Sequence, residues 1–431
     1  MTEQMNVPTL RFGEFHTQSI EQSKLGDLVT MRSGNTPSKS NPSFWEGTIP
    51  WISASSMRGN VFSKSEQNVT HLALESGAKI TPKGSLLLLV RGSMLYNKIP
   101  VGFAGRDVTF NQDVKAINLK DGDDNSYLFY WFKASEHKLL NMVTGTGIGA
   151  GKLDTDELLN LPINQPPVPE QQKIASFLSK VDEKIGLLSE KKDKLTEYKR
   201  GVMQQLFNGK WHEQDGLLTF VPPSLRFKAD DGSEFPDWEE KTLIELTAQG
   251  LSNGVFNDPK RIGKGYRLIN VKDMYSGNFI DTSTLSLLDL SEKEFSKNQV
   301  KYGDIFFTRS SLVPSGIAYS NVNLSNDDDI TYDGHLIKFS PNLDMMSPYY
   351  FANYLRSYSS RKSFISRGKQ STMTTIGQED IKDISFFIPS LDEQTKIADL
   401  LVALDQKIDF TSSELENAKE WKKGLLQQMF V

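Results

Sequence analysis

Apolar residues recur at three- and four-residue spacing through two segments of the chain, 170–207 and 393–430. In the first segment they include Ile174, Leu178, Val181, Ile185 and Leu188, and in the second Ile397, Leu401, Leu404 and Ile408. This period is typical of a coiled-coil seam along an α-helix. Prolines stand just before each segment, where helices commonly begin. The pattern predicts two long spacer helices, each about 57 Å long at 1.5 Å per residue.

These two segments are copies of one another. They align without a gap at an offset of 223 residues, and sixteen of the 38 aligned positions are identical. The repeat continues more weakly upstream, where 7–12 and 222–227 both read as P-x-L-R-F openings. We therefore expect a duplicated unit of one domain and one helix, with the two helices paired antiparallel. Because Lys192, Lys199 and Lys422 interrupt the seam, we expect that pairing to be local. The alternative is a pair of ordinary bundle helices.

The residues between the helices read as mixed α/β. Strands are predicted at 84–90, 101–104, 114–119, 304–307 and 335–339, and helices at 125–138 and 348–365. We place a first globular domain at 1–165, a first spacer helix at 166–210, a linker with the second globular domain at 211–388, and a second spacer helix at 389–431. The expected fold class is thus α/β (α+β): two globular domains separated by two long antiparallel helices in a pseudo-twofold internal repeat.

Composition excludes several classes of protein. The chain has 431 residues and 38% hydrophobic residues, which fits a soluble protein of two or more domains. No apolar run approaches the roughly 20 residues of a membrane helix, and no signal peptide is evident, so a cytoplasmic location is the simplest expectation. The absence of cysteine excludes disulfides and cysteine-ligated metals. The five histidines show no metal-ligand spacing, and no metal site is expected.

Basic residues gather in the predicted loops of both halves, although the net charge of −5 argues weakly against nucleic-acid binding. Such clusters suit phosphate contact and base reading, with a solvated surface as the alternative. Arg91 and Arg309 stand out because each ends a glycine-led apolar strand. An arginine there could bind guanine or phosphate, or be an unremarkable surface residue. The candidate DNA-binding residues are Arg32, Lys39, Arg58, Arg91, Lys98, Lys152, Lys260, Arg261, Arg267, Lys272, Arg309, Arg367 and Lys369.

Three stretches resemble catalytic motifs, but each lacks a residue or a spacing that its motif requires. Residues 145–152 resemble a phosphate-binding loop, but Thr146 stands where its first glycine belongs and Leu153 where Ser or Thr is needed. Residues 164–167 resemble an amino-methyltransferase motif, but they lack the aromatic residue that would hold a flipped base. Residues 236–241 resemble a nuclease motif, but their carboxylates are crowded into one short turn. No catalytic residue is therefore expected.

The P-x-L-R-F openings, the proline-then-E-Q-x-K-I-A helix starts and the Q-Q-L/M-F helix ends together resemble the specificity subunit of type I restriction-modification systems. The resemblance covers nearly the whole chain. It implies two target-recognition domains, each reading one half of a gapped double-stranded DNA target, with the helices setting the gap. It also implies two modification subunits that use S-adenosylmethionine to methylate adenine, and restriction subunits that use ATP and magnesium. No cofactor is then expected on this chain.

A protein- or carbohydrate-binding adaptor is the rival hypothesis, supported mainly by the acidic net charge. Salt-dependent binding to random duplex DNA would distinguish the two, because phosphate neutralisation releases counterions.

Overall fold

A computed structural model describes residues 8–121, 124–147, 149–214, 217–256 and 258–430. The chain divides into two compact units. The first comprises Met1–Ser189 and Ser413–Val431, and the second comprises Glu190–Ser412. Each unit therefore contains one half of each long helix together with one globular domain.

The first unit has fourteen strands and five short helices within the part of the chain described above. The strands are β1 (Glu21–Lys24), β2 (Val29–Ser33), β3 (Trp45–Ile52), β4 (Val61–Phe62), β5 (Asn68–Val69), β6 (Ile80–Thr81), β7 (Leu86–Leu89), β8 (Arg91–Gly92), β9 (Val101–Ala104), β10 (Val108–Phe110), β11 (Val114–Leu119), β12 (Thr144–Thr146), β13 (Ala150–Lys152) and β14 (Pro162–Gln165). The helices are α1 (Leu25–Leu28), α2 (His71–Glu75), α3 (Ser126–Ala134), α4 (Glu136–Asn141) and α5 (Thr155–Leu159). The first long helix, α6 (Val168–Phe207), follows.

The second unit carries the remaining elements. Its strands are β15 (Lys210–Gln214), β16 (Leu217–Val221), β17 (Glu239–Thr242), β18 (Thr247–Asn253), β19 (Ile262–Ile269), β20 (Ser286–Leu288), β21 (Ile305–Thr308), β22 (Ser310–Ser311), β23 (Ser320–Val322), β24 (Ile330–Tyr332), β25 (Leu336–Pro341), β26 (Lys369–Gln370), β27 (Thr374–Thr375) and β28 (Ser385–Ile388). Its helices are α7 (Glu292–Asn298), α8 (Pro348–Leu355), α9 (Tyr358–Arg367) and α10 (Gln378–Ile381), followed by the second long helix, α11 (Leu391–Phe430).

Both units repeat one sheet topology. The central sheet has the order β2-β11-β7-β9-β4 in the first unit and β18-β25-β21-β23 in the second. Each unit adds a smaller sheet with one parallel pair, β3 with β10 and β19 with β24. A two-stranded pair, β1 with β14 and β17 with β28, closes each domain next to its helix. The internal repeat is thus a repeat of fold as well as of sequence.

The long helices end inside the domain cores. Leu425, Met429 and Phe430 at the end of α11 belong to the core of the first unit, which also contains the fully buried strand β7. At the matching positions, Val202, Leu206 and Phe207 of α6 belong to the core of the second unit. The apolar half of each recurring Q-Q-L/M-F end therefore has a structural role, because it anchors the helix in a domain.

A buried ion pair joins the other two recurring motifs. In the first unit, Nε and Nη2 of Arg11 donate to the two carboxylate oxygens of Glu170 at 3.0 and 2.6 Å. In the second unit, Arg226 binds Glu393 in the same two-pronged way at 3.0 and 2.7 Å. Both glutamates are almost fully buried. The arginine of each P-x-L-R-F opening thus fastens the chain to the glutamate that begins each E-Q-x-K-I-A helix start.

Lysines of the helices pair with aspartates rather than disturbing the packing. In the first unit, Lys422 of α11 donates to Asp182 of α6 at 2.5 Å. In the second unit, Lys199 of α6 donates to Asp405 of α11 at 2.5 Å. The sequence predicted that these lysines interrupt the apolar seam, and the structure adds an aspartate opposite each of the two. The first pair lies beyond a small apolar cluster of Leu188 with Leu415, and this order shows that the helices run antiparallel in the first unit.

A tyrosine of each globular domain joins these pairs. The hydroxyl of Tyr130 on α3 donates to Asp182 at 3.0 Å, and the hydroxyl of Tyr349 on α8 donates to Asp405. Burial and the neighbouring aspartate raise the pKa of both tyrosines, so both stay protonated donors at neutral pH. The same three-residue contact thus fixes each domain on its pair of helix halves.

The predicted seam serves two purposes. Side chains near the start of each helix pack into the adjoining domain core: Ile174, Leu178 and Val181 in the first unit, and Ile397, Leu401 and Leu404 in the second. Ile185 and Leu188 form a small separate cluster with Leu415 and Ala418 of the other helix. Ile408 is half-buried. The helices therefore hold their own domains as much as they hold one another.

Candidate nucleic-acid interface

Each unit carries a small three-stranded sheet that presents the candidate arginine. In the first unit the order is β12-β13-β8, and Arg91 lies directly opposite Lys152. In the second unit the order is β22-β27-β26, and Arg309 immediately precedes β22. The stretch 145–152 is thus mainly a β-hairpin, and not the strand-to-helix turn that a phosphate-binding loop requires. Residue 148 lies outside the described residues.

The buried strand before each arginine explains its position. Gly84 and Gly303 both adopt φ of +88° at the turn that leads into β7 and β21, a conformation that favours glycine. The strands that follow are wholly buried, and the chain emerges at Arg91 and Arg309. A buried strand thus positions one arginine at the edge of each domain.

The two arginines differ in their surroundings. The side chain of Arg91 is exposed, and it makes no hydrogen bond or ion pair with the described residues. Arg309 is half-buried, and its Nη1 donates to the carbonyl oxygen of Gly334 at 3.1 Å. Its Nε is buried, with no acceptor within reach in the described ranges. Arg91 is therefore free to move to a ligand, whereas Arg309 is held in one orientation with a donor still unused.

The hairpin lysines are exposed, and each pairs with an aspartate, of which Asp154 is exposed and Asp380 is mostly buried. Lys152 contacts Asp154 at 3.2 Å, and Lys369 contacts Asp380 at 2.6 Å. Backbone N–H groups at the start of α5, together with Lys152, lower the pKa of Asp154, and the hydrogen bond from Lys369, with the N–H of Gly377, lowers the pKa of Asp380. Exposed ion pairs contribute little to stability. Lys152 can therefore exchange Asp154 for a phosphate at little cost.

Seven of the other candidates project from loops, strands and short helices. Arg32, Lys39, Arg58, Lys98, Lys260, Lys272 and Arg367 are exposed, and in the described parts of the chain their side chains form no ion pair. Such exposed cations suit contact with an extended polyanion.

Arg261 and Arg267 differ from the other candidates because carboxylates already occupy their guanidinium groups. Arg261 donates to both oxygens of Glu294, at 3.1 and 2.9 Å, and this contact lowers the pKa of Glu294 to about 2. Arg267 binds Asp329 and the carbonyl oxygen of Thr282. Both arginines therefore brace loops of the second unit, and their assignment to DNA has less structural support than that of Arg91 or Arg309.

Other kinds of site find no support in the described residues. These residues contain no group of three or more His, Cys, Asp or Glu side chains that could hold a metal ion. No described helix is long and apolar enough to cross a membrane.

Comparison with known families decides what this architecture belongs to. The family model described as "Type I restriction modification DNA specificity domain" matches residues 18–197 and 236–420, one match to each half of the repeat. The chain belongs to this family. Two matches to one domain account for the repeated topology of the two units.

Curated relatives carry the same description. The chain is 26% identical over 416 residues to the type I restriction enzyme MjaIX specificity subunit of Methanocaldococcus jannaschii, covering 94% of this chain and 91% of the relative. It is 29% identical over 199 residues to the EcoR124I/EcoR124II specificity subunit of Escherichia coli, covering 44% of this chain and 49% of that one.

Solved structures show the same fold. The specificity subunit from M. genitalium matches with a TM-score of 0.54 and 17% identity, over 99% of both chains. A structure that describes complex assembly and conformational transition of the type I restriction-modification system matches with a TM-score of 0.57 and 14% identity, over 96% of this chain and 97% of that one.

Proposed function

We propose that this specificity subunit reads a gapped double-stranded DNA target, one half-site with each unit. The observation that carries the proposal is the matched pair of basic three-stranded sheets, with Arg91 and Lys152 in one unit and Arg309 and Lys369 in the other. Exposed arginine and lysine side chains on a rigid scaffold suit phosphate contact and guanine recognition. Because the loops of the two units differ in sequence, each would read different bases.

The long helices set the distance between the half-sites and dock two modification subunits in this proposal. Exposed apolar residues recur on both helices at the offset of 223. Leu187 and Phe410 are 59% and 64% exposed, and Tyr198 and Trp421 are 59% and 52% exposed. The glutamines Gln204 and Gln427 are also exposed at matching positions. Two equivalent surfaces suit two copies of one partner.

Catalysis belongs to the partners in this proposal. Modification subunits would supply S-adenosylmethionine and methylate adenine, and restriction subunits would supply ATP-driven motion and cleavage with magnesium. The chain itself would contribute target recognition and the geometry of the assembly, in the cytoplasm where the DNA lies.

Two experiments test the proposal. Methylome sequencing of cells with and without the gene should show adenine methylation at one gapped sequence only when the gene is present. Native mass spectrometry should show two modification subunits per chain at saturating partner. An unchanged methylome would contradict the assignment, and a stable one-to-one complex would contradict the two docking surfaces.

Duplex binding supplies a third test. Affinity of the assembled complex for random duplex DNA should fall steeply with salt, because each neutralised phosphate releases counterions. A protein- or carbohydrate-binding adaptor would show no such dependence.

A further inference from the structure

A cavity of about 500 Å³ opens in the first unit where α3 and α4 meet the last turns of α11. Its lining includes the four lysines Lys133, Lys419, Lys422 and Lys423, together with Glu136 and His137. The cavity is not part of the basic sheet at Arg91, and none of the sequence patterns pointed to it.

Lys133 is the central observation. Its ammonium lies 5.3 Å from the ring centre of Phe129, and the side chain is half-buried. Burial lowers the pKa of Lys133, chiefly because the charged form loses water. Within the described residues it forms no ion pair and no side-chain hydrogen bond, although partly buried charges usually have a partner.

The surrounding charges leave the cavity positive. Lys422 is paired with Asp182, and Lys419 is paired with Glu416 at 2.8 Å. Lys423 and His137 are exposed, and in the described ranges neither side chain is paired. The carboxylate of Glu136 already accepts the backbone N–H of Ile99 at 2.9 Å. The charges of Glu136 and Asp182 act on Lys133 and partly offset the effect of burial on its pKa, although neither carboxylate forms an ion pair with its ammonium within the described residues. Four lysines against Glu136, Asp182 and Glu416 leave the cavity with a net charge of +1.

The second unit has a different cation beside its own Lys–Asp pair. Arg356, just after α8, lies near Asp405 and donates to the carbonyl oxygens of Ser320 and Asn278 at 2.9 and 3.0 Å. It also donates to the side-chain oxygen of Asn321 at 2.5 Å. Thr196 stands where the first unit has Lys419. Here protein oxygens satisfy the cation, whereas the first unit leaves Lys133 facing an open cavity.

We propose that this cavity binds a phosphate-bearing small molecule. Its volume lies in the range of small-molecule sites, about 300–1,000 Å³. Lys133, Lys423 and His137 supply donors for phosphate oxygens, as point charges that suit a multiply charged anion. Ala134, Leu140 and Leu426 give an apolar wall for the rest of the molecule. The inference rests on the first unit alone and stands whether or not the proposed DNA target is correct.

Inorganic pyrophosphate titrated into the full chain at low salt, followed by calorimetry, tests the site. We expect one site per chain. Because a hydrogen bond to a charged group is worth about 1.5–3 kcal/mol, Lys133→Gln and Lys423→Gln should each weaken binding about tenfold or more. Lys138→Gln is the matched control, since it removes an exposed lysine of α4 that does not line the cavity. Lys423 is exposed, so its variant tests the site even if Lys133→Gln folds poorly.

Further titrations with a nucleoside diphosphate and with a short DNA duplex distinguish which phosphate compound the cavity binds. Tighter binding of a nucleoside diphosphate than of pyrophosphate would show that the apolar wall takes a base, and equal binding would show that the phosphate group alone is recognised. Either result supports the site. Three results would overturn it: no saturable binding, equal loss in the Lys138 control, or displacement of pyrophosphate by a short DNA duplex, which would make the cavity a DNA-backbone contact.

Discussion

The two units share their framework and differ in what they expose. Arg11 with Glu170 and Arg226 with Glu393 form the same buried contact at the start of each helix. In contrast, Arg91 is exposed and unpaired, whereas its counterpart Arg309 is half-buried against Gly334. The buried contacts preserve one way of mounting a domain on a helix. The exposed differences are those expected if each domain reads its own half-site.

The largest effect should come from breaking a framework contact. Glu393→Gln leaves the guanidinium of Arg226 in a mostly buried site without its charge partner, which costs about 3–5 kcal/mol. Glu170→Gln should cost a similar amount in the first unit. Urea unfolding followed by circular dichroism measures both. The control is Glu190→Gln, which removes an exposed ion pair with Lys194 and should cost far less than either buried variant. Equal losses in all three variants would contradict a special role for the buried pairs.

Replacing Arg91 or Arg309 should weaken DNA binding more than it destabilises the fold. Arg91→Ala and Arg309→Ala should each weaken specific binding of the assembled complex by about 1–3 kcal/mol and relax one half-site only. Arg309→Ala should also lose some stability, because it gives up the hydrogen bond to Gly334. Fluorescence anisotropy with duplexes altered in one half-site at a time provides the measurement. Unchanged affinity for the intended duplex in both variants would remove these residues from the interface.

A change in helix length should move the half-sites without changing them. Ser189 and Ser412 occupy matching positions, so four residues inserted after each lengthen both helices by about 6 Å. The gap in the target should then grow by about one or two base pairs, while both half-sequences stay the same. Target mapping by methylome sequencing reads the gap directly. An unchanged gap would show that the helices do not set it.

The smallest effect should be a pH dependence at Lys133. Burial lowers its pKa below the ordinary value of 10.5, so the unfolded chain holds that proton more tightly than the folded chain does. The contribution of this group to the free energy of unfolding should therefore rise with pH, up to about 10.5. Unfolding curves of the wild type and of Lys133→Gln should diverge in the alkaline range. Parallel curves would contradict the lowered pKa.

Periodicity and repetition predicted much of this fold. The 3–4 spacing and the offset of 223 predicted two long helices, and the structure has them at Val168–Phe207 and Leu391–Phe430. The recurring motifs led to the family. These features are local or repeated, so one sequence is enough to see them.

Contacts between distant residues could not be predicted in the same way. The pairing of Lys199 with Asp405 joins residues 206 positions apart, and the sequence suggested only that this lysine disturbs a seam. Arg261 and Arg267 form ion pairs with carboxylates that are distant in the sequence. The cavity at Lys133 depends on the shapes of three helices. The Arg–Glu contacts could have been inferred from one feature of the sequence, because both the arginine and the glutamate recur in each half.

A fragment of residues 1–215 tests the central claim, that the two units are interchangeable readers on one framework. Two copies can pair their helices, because Lys199 of one copy would meet Asp182 of the other, and Val202, Leu206 and Phe207 would fill the place of Leu425, Met429 and Phe430. Sedimentation should show a dimer, and with modification subunits present the dimer should methylate a gapped palindrome built from the first half-site and its inverted repeat. A monomer that methylates nothing with partners in excess would contradict the account.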